Sequence, residues 1–175
     1  MLTITTIEAV ARIGAALGLG AVIGLERQFG KHPAGFRTMT LISIGSAAFT
    51  LLVIEVGAGA SGMRSDSAAQ ATSRVLQGLT TGIGFLGAGT IVRADKGVHG
   101  LTTAAAVWCV AAIGAACGLG EILLASIVTG AALIALVVMK LLERPLHLIG
   151  PANKDSDAPH MTGASAPGSG IGNRA

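Results

Sequence analysis

The chain has 175 residues, enough for one domain, with 51% hydrophobic residues, 12% charged residues and a formal net charge of +3. A soluble domain carries about 25% charged residues. Half that share, with long uncharged runs between the charges, excludes an ordinary soluble fold and places the chain in the membrane class. The basic residues are scattered and there is no Tyr, so neither a basic patch nor a base-stacking surface exists and a nucleic-acid partner is excluded.

Five apolar segments follow one another and predict helices over about 7–25, 38–56, 75–92, 101–117 and 122–142. Each is close to the roughly 20 residues that cross a hydrocarbon core of about 30 Å. The first is expected to be retained rather than cleaved, because no basic residue precedes Arg12 and Glu8 comes early. A short basic loop joins the third and fourth. The last two do not read as one helix. Glu121 would then sit at the bilayer centre, at a cost of roughly 2.5–3.5 kcal/mol, and Gly118-Leu119-Gly120 supplies a turn. The predicted fold class is therefore all-α: a polytopic transmembrane helical bundle of about five helices over residues 1–145. Residues 146–175, rich in Gly, Pro, Ala and Ser, predict a disordered cytoplasmic tail.

Lys and Arg set the expected orientation. With the N-terminus outside, the inner segments hold Arg27, Lys31, Arg37, Arg93, Lys96, Lys140, Arg144, Lys154 and Arg174, and the outer ones Arg12, Arg64 and Arg74. The expected placement is a multi-pass protein of the bacterial inner membrane, with a periplasmic N-terminus and a cytoplasmic C-terminus.

Small residues recur four apart at Gly14/Gly18, Gly20/Gly24, Gly78/Gly82, Gly114/Gly118 and Ser126/Gly130. In lipid no hydrophobic force draws helices together, so close backbone approach through small residues is a main source of attraction. The densest stretch, Gly82 to Gly89, also spells G-x-G-x-x-G, but no strand, following helix or distant acid of a βαβ unit surrounds it. Gly78, Gly82, Gly84, Gly87 and Gly89 are read instead as a helix-packing motif, serving either the bundle itself or a homodimer. Cys109 and Cys117 lie ~12 Å apart along one helix at 1.5 Å per residue, beyond disulfide reach.

Ionisable residues avoid every midplane. Arg74 falls at the outer boundary. Glu26, Arg27, Arg37, Thr38, Thr102 and Thr103 belong to three helix ends on the inner face. Two readings stand for them: snorkelling charges and helix caps, or a charged inner-face platform for a ligand or partner. Glu26 is the candidate for a Mg²⁺ contact, since magnesium is held by one or two carboxylates with water. The four histidines are isolated, and no nucleophile-base arrangement is present, so neither an enzyme nor a bound cofactor is expected. Trp108 reads as a packing residue, or second as an interfacial anchor.

Ile23-Gly24-Leu25-Glu26-Arg27, Ala34-Gly35-Phe36-Arg37-Thr38, Arg74-Val75-Leu76-Gln77-Gly78, Gly82 to Gly89, and Gly100-Leu101-Thr102-Thr103-Ala104-Ala105 with Trp108 are five motifs in order. As a set they resemble the MgtC/SapB family over about residues 7 to 142. The resemblance implies an inner-membrane protein of magnesium homeostasis and adaptation to low magnesium, linked in pathogens to virulence. It implies regulation through contact with another membrane protein such as the F-type ATP synthase. The alternative is a Mg²⁺ transporter or channel component, and a further one a structural oligomer. Two departures stand out. Many relatives carry an acid shortly before the arginine matched by Arg74, where this chain has Ala71-Thr72-Ser73. Longer members also carry a folded cytoplasmic C-terminal domain, which the tail replaces here.

Overall fold

The computed structural model describes residues 4–59, 65–94 and 97–146. Helix α1 spans Thr6–Phe29, α2 Phe36–Gly59 and α3 Ser65–Gly89. A two-stranded antiparallel hairpin follows, β1 Val92–Ala94 and β2 Gly97–His99, with Val92 opposite His99 and Arg93 opposite Val98. Helices α4 (Leu101–Leu119) and α5 (Ile122–Leu146) complete the order. The all-α bundle of five helices expected from the apolar segments is present. The tail read as residues 146–175 falls almost wholly outside the described residues, as do His147 and His160.

Two details differ from the expectation. The basic loop between α3 and α4 contains a hairpin, whose three-residue strands are too short to show an alternating pattern. Helix α3 begins ten residues before Val75 and ends at Gly89, so Val92 leaves the helix and pairs in β1. Apolarity marked where α3 could enter lipid, but its first turns are polar and helical. Among the described residues, four helices are long and apolar enough to cross a membrane: Thr6–Phe29, Phe36–Val56, Leu101–Leu119 and Ile122–Leu141. Helix α3, 25 residues long, has the length but is diluted by Gln77, Thr80, Thr81 and its glycines.

The ends are built locally. Thr5 caps α1 by a reciprocal box: its hydroxyl accepts from Glu8 N at 3.3 Å, and Glu8 accepts from Thr5 N at 3.1 Å. Gly100 precedes α4 at φ +92°, and a Cβ there would run into the Thr90 carbonyl, so glycine is needed twice over. Gly120 ends α4 at φ +93° and donates to the carbonyls of Ala116 and Cys117. This is the tight turn expected between the last two helices.

Helices α1, α2 and α4 form the centre. Ser43 is wholly buried between them, its hydroxyl donating to Ala16 O on α1 at 2.7 Å. A Cβ on Gly20 would lie 2.6 Å from Ser43 Cβ, and one on Gly24 2.7 Å from Phe36 Cα. On the other side, a Cβ on Gly114 would overlap the Ser43 carbonyl, and one on Gly118 would stand 2.5 Å from Ala47 O. Thr50 closes the same seam, bonding to Ala47 O at 3.0 Å and Ala115 O at 3.3 Å. Around these contacts sit Ile23, Met39, Val107, Val110 and Ile113, all buried. Of the membrane-length helices α4 is the most buried and α5 the least, so α4 is the axis and α5 a peripheral helix with Leu123, Ile127 and Ile134 turned outward. An outward aliphatic face of that extent suits lipid.

Close packing thus falls to Gly20, Gly24, Gly114 and Gly118. The motif assigned to α3 is different within this chain. Gly87 makes ordinary contact with Ala104 and Trp108, at 3.7 and 3.8 Å from a built Cβ, whereas Gly78, Gly82, Gly84 and Gly89 face open space. Gly14, Gly18 and Gly130 do so as well. Spacing identifies a small-residue stripe, but the rotation of the helix decides whether a neighbour covers it. Trp108 is about half exposed and lines the groove between α3 and α4 with Leu79 and Ile83.

At the far end of the bundle from Glu26, Arg12 reaches across from α1 and donates to Gly118 O at 3.0 Å. The cation meets the carbonyl end of α4, where the helix dipole favours it. Arg12→Met is expected to lower stability by about 1.5–3 kcal/mol, the worth of a hydrogen bond to a charged group. Thermal unfolding in detergent measures this.

Candidate functional site

The last turns of α1 and the first turn of α4 meet because Gly24 lets α2 come close and Gly100 aims α4 back toward α1. Arg27 is carried into this junction. It is 2% exposed, and its Nη2 donates to Thr103 Oγ1 at 2.8 Å. Both belong to motifs quoted above, so residues 76 positions apart form one buried pair. Among the described residues, Arg27 Nε has no hydrogen-bond partner, nor does the buried Glu26 Oε2. The other oxygen, Glu26 Oε1, lies 4.0 Å from Lys140 Nζ on α5.

These groups border a cavity of about 340 Å³ between α1, α4 and α5. Its polar rim holds Glu26, Arg27, Thr102 and Lys140, and its apolar wall includes Ala106, Cys109, Ala132 and Leu136. The size lies within the range of small-molecule sites, which combine an apolar wall with a few convergent polar groups. A charged group left partly unsatisfied inside a bundle is expensive, which marks this end of the bundle as the candidate site.

The six inner-face residues separate into two groups. Glu26, Arg27 and Thr102 line the cavity and Thr103 anchors Arg27. Arg37 and Thr38 are exposed at the start of α2 and do not line it. Helix α2 enters the bundle through Gly24 against Phe36, which turns the next two side chains outward. Lys140, Cys109 and His32 join the lining. The sequence marked Lys140 as an inner-face charge, but its partnership with Glu26 depends on how α5 leans on α1, and no spacing carries that. Glu26, the candidate for a Mg²⁺ contact, lies with its Oε1 4.0 Å from Lys140 Nζ. Among the described residues no three His, Cys, Asp or Glu side chains come together to hold a metal. Arg74 is exposed on α3 and borders a separate recess with Phe49, Gly78 and Gly82. Cys109 and Cys117 are both free thiols.

The fold and this junction define a multi-pass helical membrane protein with a largely apolar, charge-rimmed cavity at one end of its bundle. The chain belongs to the MgtC family, whose model matches residues 13–145. It is 46% identical over 141 residues to Protein SrpB of Synechococcus elongatus, covering 76% of this chain and 75% of that one. It is 40% identical over 136 residues to Protein MgtC of Brucella abortus, covering 78% of this chain and 51% of that one. With Protein MgtC of Salmonella typhimurium it shares 43% over 107 residues, 61% of this chain and 42% of that one. The chain thus spans about half the length of these MgtC proteins and three quarters of SrpB. No solved structure matches it.

Proposed function

We propose that this chain is a non-enzymatic membrane protein of adaptation to low magnesium, acting through contact with another membrane protein. The observation that carries the reading is the family match across residues 13–145, which takes in most of α1 and α5 and all of α2, α3 and α4. The F-type ATP synthase is the partner proposed, on the resemblance of the five motifs. The bias of Lys and Arg supports an inner-membrane placement with the Glu26 end toward the cytoplasm. The exposed Arg37 and Thr38 at that end, and the glycine face of α3, are the surfaces offered to a partner or a second copy.

The test is co-purification in mild detergent, with ATP-synthase activity and membrane potential measured in a deletion strain at low magnesium. Recovery of ATP-synthase subunits with the tagged chain, and raised ATP-synthase activity in the deletion strain, are expected. Unchanged activity and potential with no recovered subunit would overturn the reading. Magnesium flux into liposomes holding the purified chain, above that of empty vesicles, would put a transporter in its place.

A further inference from the structure

We propose that the cavity between α1, α4 and α5 binds the headgroup of a membrane phospholipid carrying both a phosphate and a primary ammonium, as in phosphatidylethanolamine. Three observations converge. The first is chemical. Glu26 and Arg27 line the cavity, and among the described residues Glu26 Oε2 and Arg27 Nε have no hydrogen-bond partner. An unsatisfied buried ionic group costs more than a neutral one, and a cationic donor for Glu26 with an anionic acceptor for Arg27 would satisfy the two most strongly. A zwitterion supplies both. Its ammonium donates to Glu26, and its phosphate accepts from Arg27 and from Lys140, whose side chain is 46% exposed and whose contact with Glu26 is a long one of 4.0 Å.

The second observation is depth. Glu26 lies three residues before the end of α1, ~4.5 Å along the axis at 1.5 Å per residue. Lys140 stands one residue before the end of the membrane-length stretch of α5, and Thr102 is the second residue of α4. The polar rim therefore sits at headgroup level rather than in the hydrocarbon. The third is access. Glu26 and Lys140 also border a second recess of about 310 Å³, walled by Phe29, Val137 and Leu141. Phe29 and Leu141 are 82% and 61% exposed, so this recess opens on the outward apolar face of the bundle. An acyl chain lying against Phe29, Val137 and Leu141 places its headgroup at the Glu26–Lys140 rim. A soluble zwitterion would gain nothing from that recess, which decides for a lipid.

The inference is independent of the magnesium role, since the lipid assay and the low-magnesium growth assay can fail separately. The full chain is exchanged in detergent against an equimolar mixture of phosphatidylethanolamine, phosphatidylcholine and phosphatidylglycerol, and retained lipid is weighed by native mass spectrometry. One phosphatidylethanolamine per chain is expected, favoured over the other two by about tenfold, the factor for one charge-assisted hydrogen bond. Phosphatidylcholine offers no ammonium proton, and phosphatidylglycerol offers no ammonium. Glu26→Gln, nearly isosteric, is expected to abolish the preference, and Lys140→Gln to weaken retention of all three. Bound phosphatidylethanolamine is further expected to slow maleimide modification of Cys109, with Cys109→Ser identifying the reacting thiol. Equal retention of the three lipids overturns the proposal. So does a preference that survives Glu26→Gln, protection of Cys109 by free phosphoethanolamine as strong as by the lipid, or a retained lipid that leaves Cys109 modification unchanged.

Discussion

Leucine in place of Gly114 is expected to leave little or no folded monomer, with a loss of at least about 3 kcal/mol, the upper end of ordinary overpacking. The contact is with main chain. Even a single Cβ at Gly114 would overlap the carbonyl of Ser43, and Ser43 cannot retreat. Its hydroxyl is tied to Ala16 O, and its Cβ already stands against Gly20. Helix α2 would have to move away from α4, opening the seam that Thr50 and Gly118 close one turn further on. A whole domain is stable by only about 5–15 kcal/mol, so much of the margin is lost. Gly130→Leu is the matched control, because nothing lies within 4 Å of a Cβ there. Size-exclusion profiles and thermal unfolding of the two variants should separate cleanly. Equal behaviour of the pair would contradict the three-helix centre.

Arg27→Met is the second large effect, expected to cost about 3–5 kcal/mol, as when one member of a buried ionic contact is removed. Methionine keeps the length and apolar bulk of the stem, so the loss reports the guanidinium. Thr103 then loses the donor that its hydroxyl accepts from, and Glu26 is left with Lys140 at 4.0 Å among the described residues. Thr103→Val alone should cost less, about 1.5–3 kcal/mol, because it removes one hydrogen bond to a charged group. The double variant should fall well short of the sum, since both changes break the same contact. Thermal unfolding of the four proteins gives the coupling directly. Additive losses would mean that the two residues act separately.

Much of this arrangement was legible in the sequence. Run lengths found the helices, Glu121 and Gly120 found the turn between α4 and α5, and the distribution of charge found the end where Glu26, Arg27 and Thr103 meet. What stayed hidden depends on rotation and on neighbours. Gly114 and Gly78 carry the same spacing signal, yet one is pressed against Ser43 and the other faces open space. Arg37 shares a motif with Phe36, but Phe36 is held against Gly24 and so directs Arg37 away from the cavity. Lys140 lies 114 residues from Glu26 in sequence, and only the lean of α5 across α1 brings them together. The β1–β2 hairpin was invisible because three-residue strands carry too few side chains to form a pattern.

The cavity end is the feature on which these observations converge. The most direct measurement is growth of a deletion strain at low magnesium, complemented by the wild-type chain or by Glu26→Gln at matched membrane abundance. Glu26→Gln keeps the shape of the side chain and removes its charge, so it should insert normally and fail to restore growth. Full restoration by Glu26→Gln would contradict a functional role for the charged cavity.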